Sequence, residues 1–202
     1  RECQIFDKTF KLGSTACMCY TIKVTKGGLG NFSSLLAVDD GVRVATLEVD
    51  SVDTENEQYD EYVLVDYMVR FNEPYDGSQV VGTSGCTLLQ LLQDICSKHN
   101  VTLDSDSTQF IGYNKNINWY DSTITAREYI GYIAELNGGM AYITGDGKLA
   151  FKQFKSSTAS KGTIPVTQLS SWKLGNQVRV TRVVYDTHTG IMWSAGTDTN
   201  NT

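Results

Sequence analysis

The sequence is poor in proline and has no long apolar run. Only two prolines, Pro74 and Pro165, occur in 202 residues, so no segment is proline-rich or low in complexity. The richest apolar stretch, residues 88–92, is interrupted by a glutamine and is far too short to cross a bilayer, which predicts no membrane span. A secretory signal and a lipidation motif are missing as well. Because the chain starts at Arg1 without Met and ends in a polar run, we expect a fragment cut at both ends.

The motifs that carry catalysis or hold a metal are also missing. The chain has no Gly-x-Ser-x-Gly, no His-Glu-x-x-His and no dinucleotide-binding glycine pattern. The two histidines, His99 and His188, have no metal-ligand spacing, and Cys17 and Cys19 have no second pair. The run 104–106 lacks the Gly and Glu of a calcium loop and is interpreted as a turn. The sequence therefore predicts no catalytic, cofactor-binding or metal-binding residues, although a Cys–His pair assembled in space stays open.

Charge is distributed unevenly along the chain. The net charge of −6 argues against tight binding of nucleic acid. Acids dominate residues 39–61, where Arg43 is the only base, whereas residues 148–182 contain bases and no acid. Two interpretations stay open: two solvated faces, or complementary surfaces that meet within or between subunits. The acids fall in loops and at strand edges and are interpreted as solvated rather than as a catalytic pair.

Period-two alternation predicts a β-rich domain over residues 1–80, which resumes with return strands over 156–202. A polar hairpin loop is expected before residue 59 and a turn over 72–77. A linker is expected at 155–163. The predicted strands of the first part are 16–25, 42–49 and 62–71, and those of the return part lie around 178–185 and 191–193.

Residues 81–155 predict a small α/β insert with two helices and a hairpin. Thr87 and Thr125 each precede a Gln or Glu by three residues, so capping boxes begin helices near 87–99 and 125–137. Asp146-Gly147 between two apolar runs predicts a hairpin over 140–154. A β-rich domain interrupted by such an insert belongs to the α+β class. The predicted buried stripes are Leu88, Leu91, Leu92 and Ile95 in the first helix, and Ala126, Tyr129, Ile130, Ile133 and Ala134 in the second.

One continuous run resembles a pattern of phage tail proteins. Residues 125–143, followed by Asp146-Gly147-Lys148-Leu149, are similar to a helix that leads into a hairpin in tail proteins of phages and prophages of Gram-positive bacteria. Residues 65–75, 87–99 and 8–14 resemble upstream segments of the same proteins. The resemblance extends from about Phe10 to Trp193. It is to the tail-tip baseplate hub family of siphophages, also described as tail-associated or prophage endopeptidase tail proteins.

This resemblance implies a structural protein of the virion tail tip and not an enzyme. It implies a homotrimer that closes the tail tube and mediates assembly, with the distal tail protein, the tail tube protein and the tape measure protein as partners. DNA would pass through the lumen without being specifically bound. Synthesis and assembly would take place in the cytoplasm of the bacterial host. The family hub has no catalytic residues to carry over to this chain.

Two other functions stay open. The first is a receptor- or carbohydrate-binding module of a tail or cell surface, which would use exposed Trp119, Tyr120 and Trp193 on a host-surface glycan. The second, less favoured, is a fragment of a cell-wall peptidase.

The uneven charge adds a hypothesis about the lumen. Lys and Arg side chains lining the passage would bind the phosphates of the DNA, whereas Asp and Glu side chains would let the DNA slide through. We therefore expect part of the acidic stretch 39–61 to face the lumen or the axis. The basic stretch 148–182 would then face outward or meet a neighbouring subunit or the distal tail protein.

Overall fold

A computed structural model describes residues 2–5, 12–27, 32–110, 116–153, 182–186 and 192–196. The chain divides into two compact units, Arg1–Ser156 and Ser157–Thr202. The described residues combine open β-sheets with short helices, which confirms the α+β class. None of the described helices has the length and apolar character that a membrane crossing requires.

Five antiparallel strands build the main sheet of the first unit. The strands are β1 (Glu2–Ile5), β2 (Met18–Thr25), β3 (Ser34–Asp39), β4 (Val42–Asp53) and β5 (Tyr59–Asp66). Their order across the sheet is β1-β2-β5-β4-β3, so β1 and β3 are its two edges among the strands that the structure describes. The polar loop between β4 and β5 is the predicted hairpin connection.

Two features of this sheet differ from the prediction. The strand predicted over 62–71 ends at Asp66, and residues Tyr67–Asn72 form a 3-10 helix instead. The cause is local, because the Asp66 side chain accepts a hydrogen bond from the Met68 N–H and caps that helix. Strand β3 was not predicted at all. It is joined to β4 by Asp40 and Gly41, both at positive φ, a two-residue turn that favours hairpins.

After the sheet, the described residues up to 136 form four α-helices and three short strands. In chain order these are α1 (Ser78–Val81), β6 (Cys86–Thr87), α2 (Leu88–Lys98), β7 (Thr102–Leu103), α3 (Ser105–Phe110), β8 (Asn116–Ile117) and α4 (Ala126–Leu136). Strands β6 and β8 pair with each other.

Both predicted helix starts are confirmed. Thr87 and Thr125 are the N-caps of α2 and α4, and each forms a complete capping box. Every residue of the two predicted stripes is buried. Asn100 has a φ of 55° after α2, as its predicted role as a left-handed stop requires. The run 104–106, predicted as a turn, differs in that α3 already begins at Ser105, and Asp104 Oδ2 accepts from the Asp106 N–H at this helix start.

The predicted hairpin is formed by β9 (Gly139–Ile143) and β10 (Lys148–Gln153). Gly147 adopts a φ of 77° in its turn. Strand β7 adds to β10 in parallel, which gives a three-stranded sheet in the order β7-β10-β9. In the second unit, β11 (Arg182–Asp186) and β12 (Met192–Gly196) form an antiparallel pair. The predicted linker, residues 178–181 and His188 lie outside the described residues.

One hydrophobic core joins the main sheet to the helices. Cys19 and Val65 of the sheet belong to the same buried cluster as Leu92 of α2, Ile130 of α4 and Leu149 of β10. A second, smaller cluster lies on the main sheet around Ala45, Leu47 and Leu64, with partly buried neighbours that are all sheet residues except Phe32. Residues 81–153 therefore share their core with the preceding sheet within the first unit.

Candidate functional site

Asp66 is buried where β2, β5 and the 3-10 helix meet. Its Oδ2 accepts from the Met18 N–H at 2.7 Å, and its Oδ1 accepts from the Met68 N–H at 2.9 Å. Burial raises the pKa of this carboxyl, and the two backbone donors oppose the rise. Both oxygens are occupied in holding the backbone, so the role of Asp66 is to join the sheet to the helix. Sequence reasoning missed this acid, since no motif marks it; the available signal is its place at the end of an apolar run.

The cysteines considered as metal ligands or catalytic nucleophiles lie in the core. Cys17 and Cys19 are both buried. Burial, and then the neighbouring Asp66 charge, raises the pKa of Cys17 to about 12, and burial raises the pKa of Cys96 to about 12. A nucleophilic cysteine needs the opposite shift, because the thiolate is the reactive form. These thiols therefore pack as small hydrophobic side chains.

His99 ends α2, as its sequence position predicts. It is the C-cap residue of that helix, and its ring centroid lies 5.3 Å from that of Phe71. Burial lowers its pKa. In the part of the chain that the structure describes, no group of three or more His, Cys, Asp or Glu is placed to hold a metal ion.

Arg127 ties the start of α4 to distant parts of the chain. Its Nε donates to Thr15 Oγ1 at 2.8 Å, one terminal nitrogen donates to the Thr15 carbonyl at 2.7 Å, and the other reaches Asn72 Oδ1 at 3.2 Å. Beside this clamp the chain passes so close to α4 that a Cβ on Gly131 would lie 2.9 Å from the Gly13 oxygen. A shallow groove of about 360 Å³ lies between α4 and the segment around Gly13, and Glu135 is among the residues that line it.

Basic side chains of the first unit neutralise some of the acids in the stretch 39–61. Glu48 pairs with Arg70 at 2.8 Å, Asp60 with Lys26 at 3.1 Å and Glu61 with Lys23 at 3.2 Å. The remaining acids at the β4–β5 hairpin are exposed, and none of them takes part in an ion pair between described residues. The hairpin end is therefore a negatively charged surface. Those unpaired acids are Asp50, Asp53, Glu55 and Glu57.

Two aromatic side chains are presented on a fixed loop after β8. Trp119 is 61% exposed and Tyr120 is 40% exposed. The loop is held because the Asp121 N–H donates to Tyr129 Oη at 2.6 Å and that hydroxyl donates back to the Asp121 carbonyl at 2.9 Å. A large exposed aromatic on an anchored loop is typical of a binding surface. Trp193 lies in β12, where only the backbone is described.

An apolar patch lies at one edge of the main sheet. Leu36 and Val38, on one face of β3, are 51% and 53% exposed, and Val42 of β4, which pairs with Asp39, is exposed on the other face. An exposed apolar edge strand is a surface on which another chain can pair. No sequence pattern had singled this edge out.

The fold is shared with a solved tail protein. The 43 kDa tail protein of prophage MuSo2 from Shewanella oneidensis matches with a TM-score of 0.52 at 13% sequence identity, over 72% of this chain and 49% of that chain. The tail protein from Neisseria meningitidis MC58 gives a TM-score of 0.47 at 16% identity, over 91% of this chain and 59% of that one. The chain thus spans about half of the length of these proteins. No protein-family model and no curated protein sequence matches it.

Proposed function

We propose that the chain is a structural component of a phage or prophage tail, placed at the tail tip as part of the baseplate hub. The observation that carries this proposal is the fold shared with the prophage MuSo2 tail protein. The sequence resemblance over 125–149 covers α4 and most of the β9–β10 hairpin. Residues of this helix and this hairpin belong to the same hydrophobic core. The buried thiols and the structural use of Asp66 and Arg127 agree with a role in assembly rather than catalysis.

The proposed assembly is a homotrimer that closes the tail tube. Its partners would be the distal tail protein, the tail tube protein and the tape measure protein. Purified tails should contain this chain at a low, fixed copy number that is a multiple of three, measured by quantitative mass spectrometry against the tube protein. A copy number close to that of the tube protein would indicate a tube subunit, and absence from washed tails would reject the proposal.

Part of the acidic stretch is proposed to face the passage for DNA. Asp53, Glu55 and Glu57 form an exposed negative surface at the β4–β5 hairpin, which suits a wall along which DNA slides. On the basic stretch, Lys152 is exposed and would lie on an outward or subunit-facing side. A structure of the assembled tip with these acids on the outer rim and Lys152 in the channel would contradict this.

Glycan binding is the second candidate function, and the exposed Trp119 and Tyr120 favour it. Stacking of an aromatic ring on a sugar face would account for their exposure on an anchored loop. The test is binding of the isolated chain to host cell-wall glycan, with Trp119→Ala as the variant and Tyr132→Ala, a change at another exposed aromatic, as the control. Binding that is lost in the first variant alone would favour this function.

A peptidase fragment is the third alternative. Replacement of Cys17, Cys19, His99 and His188 by Ala or Ser should leave assembly intact apart from packing losses. Hydrolysis of cell-wall substrate by the chain that disappears with one of these changes would overturn the structural proposal.

A further inference from the structure

The groove beside α4 has an apolar wall between two acids. Leu12 and Tyr132, which both line it, are 52% and 51% exposed. Glu128, Tyr132 and Glu135 follow one another at helical spacing, so they lie in one row along the same side of α4. The rise of the helix separates the two acidic positions by about 10 Å along its axis. The surface therefore presents a large apolar side chain between two negative charges.

Neither acid is neutralised within the described part of the chain. No ion pair between described residues includes Glu128 or Glu135. Arg127, a base that lines the groove, donates to Thr15 and Asn72 instead. Glu135 also lies in the last turn of α4, where no base occurs and where the helix dipole opposes a negative charge. A cation supplied by another surface would relieve this arrangement.

One segment of the chain has the complementary pattern. Lys152 and Lys155 lie three positions apart in the sequence, with Phe154 between them. Three residues of extended chain span about 10 Å, which matches the separation of the two acids. The flexible lysine stems allow both ammonium groups to point to one side. Lys152 is exposed, and it takes part in no ion pair between described residues.

We propose that residues 152–155 of a neighbouring copy bind in this groove, with Phe154 on the apolar wall and the two lysines at the two acids. The contact joins different surfaces of two copies, and such a head-to-tail contact closes a ring when the rotation between copies allows it. It deepens the proposed homotrimer, rests on it, and gives Lys152 a surface to meet on the next subunit. Opposite charges at the two ends of the groove set the register of the copies.

The run 8–11 repeats this pattern, since it has lysine at both ends and a phenylalanine between them. The direction of the chain argues against it. Gly13 lies beside Glu135, and Thr15 lies beside Arg127, so the chain passes along α4 from the end of the helix toward its start. The run 8–11 would have to reverse this direction to enter the groove of its own chain, whereas a segment from a neighbouring copy would not.

Carbodiimide cross-linking of the unmodified chain tests the contact, because this reagent joins a carboxylate to an amine where the two form an ion pair. Chains with natural and with heavy nitrogen are mixed in dilute solution and concentrated together, and cross-linked peptides are identified by mass spectrometry. The expected result is a bond from Glu128 or Glu135 to Lys152 or Lys155 that joins a light peptide to a heavy one. The same bond found only within one isotope form would place the segment in its own groove and overturn the proposal. Bonds to the run 8–11, or no bond at these acids, would overturn it as well.

Charge reversal tests the same contact by sedimentation over a concentration series. Glu135→Lys should weaken self-association by about fivefold or more, since it turns an attraction into a repulsion. Glu57→Lys, the same change at an exposed acid of the β4–β5 hairpin, should leave it unchanged, and circular dichroism confirms that both variants fold. Equal association of the two variants would overturn the proposal. The copy number in purified tails tests the hub separately: a correct copy number without the cross-link rejects the groove contact alone, and a wrong one with the cross-link rejects the hub alone.

Discussion

Truncation of Ile133 to alanine should destabilise the first compact unit by roughly 2–5 kcal/mol. Ile133 is 2% exposed and belongs to the main hydrophobic cluster of the first unit. Three carbon groups are removed, and at about 0.8 kcal/mol for each buried group the transfer loss alone is about 2.4 kcal/mol. The cavity left behind adds to this loss to the extent that its walls cannot collapse.

The measurement is equilibrium unfolding in urea, followed by the helical signal in circular dichroism. Leu136→Ala provides the control, because Leu136 is in the same helix but 63% exposed, and its change should stay within about 0.5 kcal/mol. The two variants remove similar side chains and differ in burial. A loss below about 1 kcal/mol for Ile133→Ala, or equal losses for both variants, would refute the packing described for α4.

Three further predictions concern the cap of α4, the buried acid and the close approach of the chain to α4. Thr125→Ala should lower the free energy of unfolding by about 0.5–2 kcal/mol, since it removes half of a complete capping box; an unchanged urea midpoint would contradict this. The pKa of Asp66 is raised by burial above its unfolded value of about 3.9, so its contribution to stability is full below that pH and is lost as the pH rises through the folded pKa. Urea midpoints across this window should show that Asp66→Asn removes that part of the pH dependence, and parallel curves would argue against it. Gly131→Ala should cost about 1–3 kcal/mol in urea melts, because the new methyl would meet the Gly13 oxygen; a stabilising effect would show that this contact is loose.

Helices α2 and α4 could be predicted because their signals are local. The capping boxes at Thr87 and Thr125 need only residues three positions apart, and the turn at Gly147 needs two adjacent residues. Strand β3 was missed because its apolar run, residues 35–38, is too short and too continuous to show a period. The turn signal that follows it, Asp40 with Gly41, was present but was not used.

The features that shape the surface depend on contacts between distant residues. Arg127 donates to Thr15, 112 positions away in the sequence, and no sequence pattern predicts such a pair. The end of β5 is set by Asp66, whose carboxylate also holds Met18 across the sheet. Exposure of Leu36 and Val38 follows from their place at a sheet edge, which the sequence does not specify.

The most direct test of the central proposal is the position of this chain in a tail. Particles of the phage or prophage that encodes it are labelled with gold-tagged antibody against the chain and imaged by negative-stain electron microscopy. The proposal predicts label at the distal tip of the tail, on the axis, and none along the tube. Label on side fibres, along the whole tube or on no part of the particle would contradict a role in the baseplate hub.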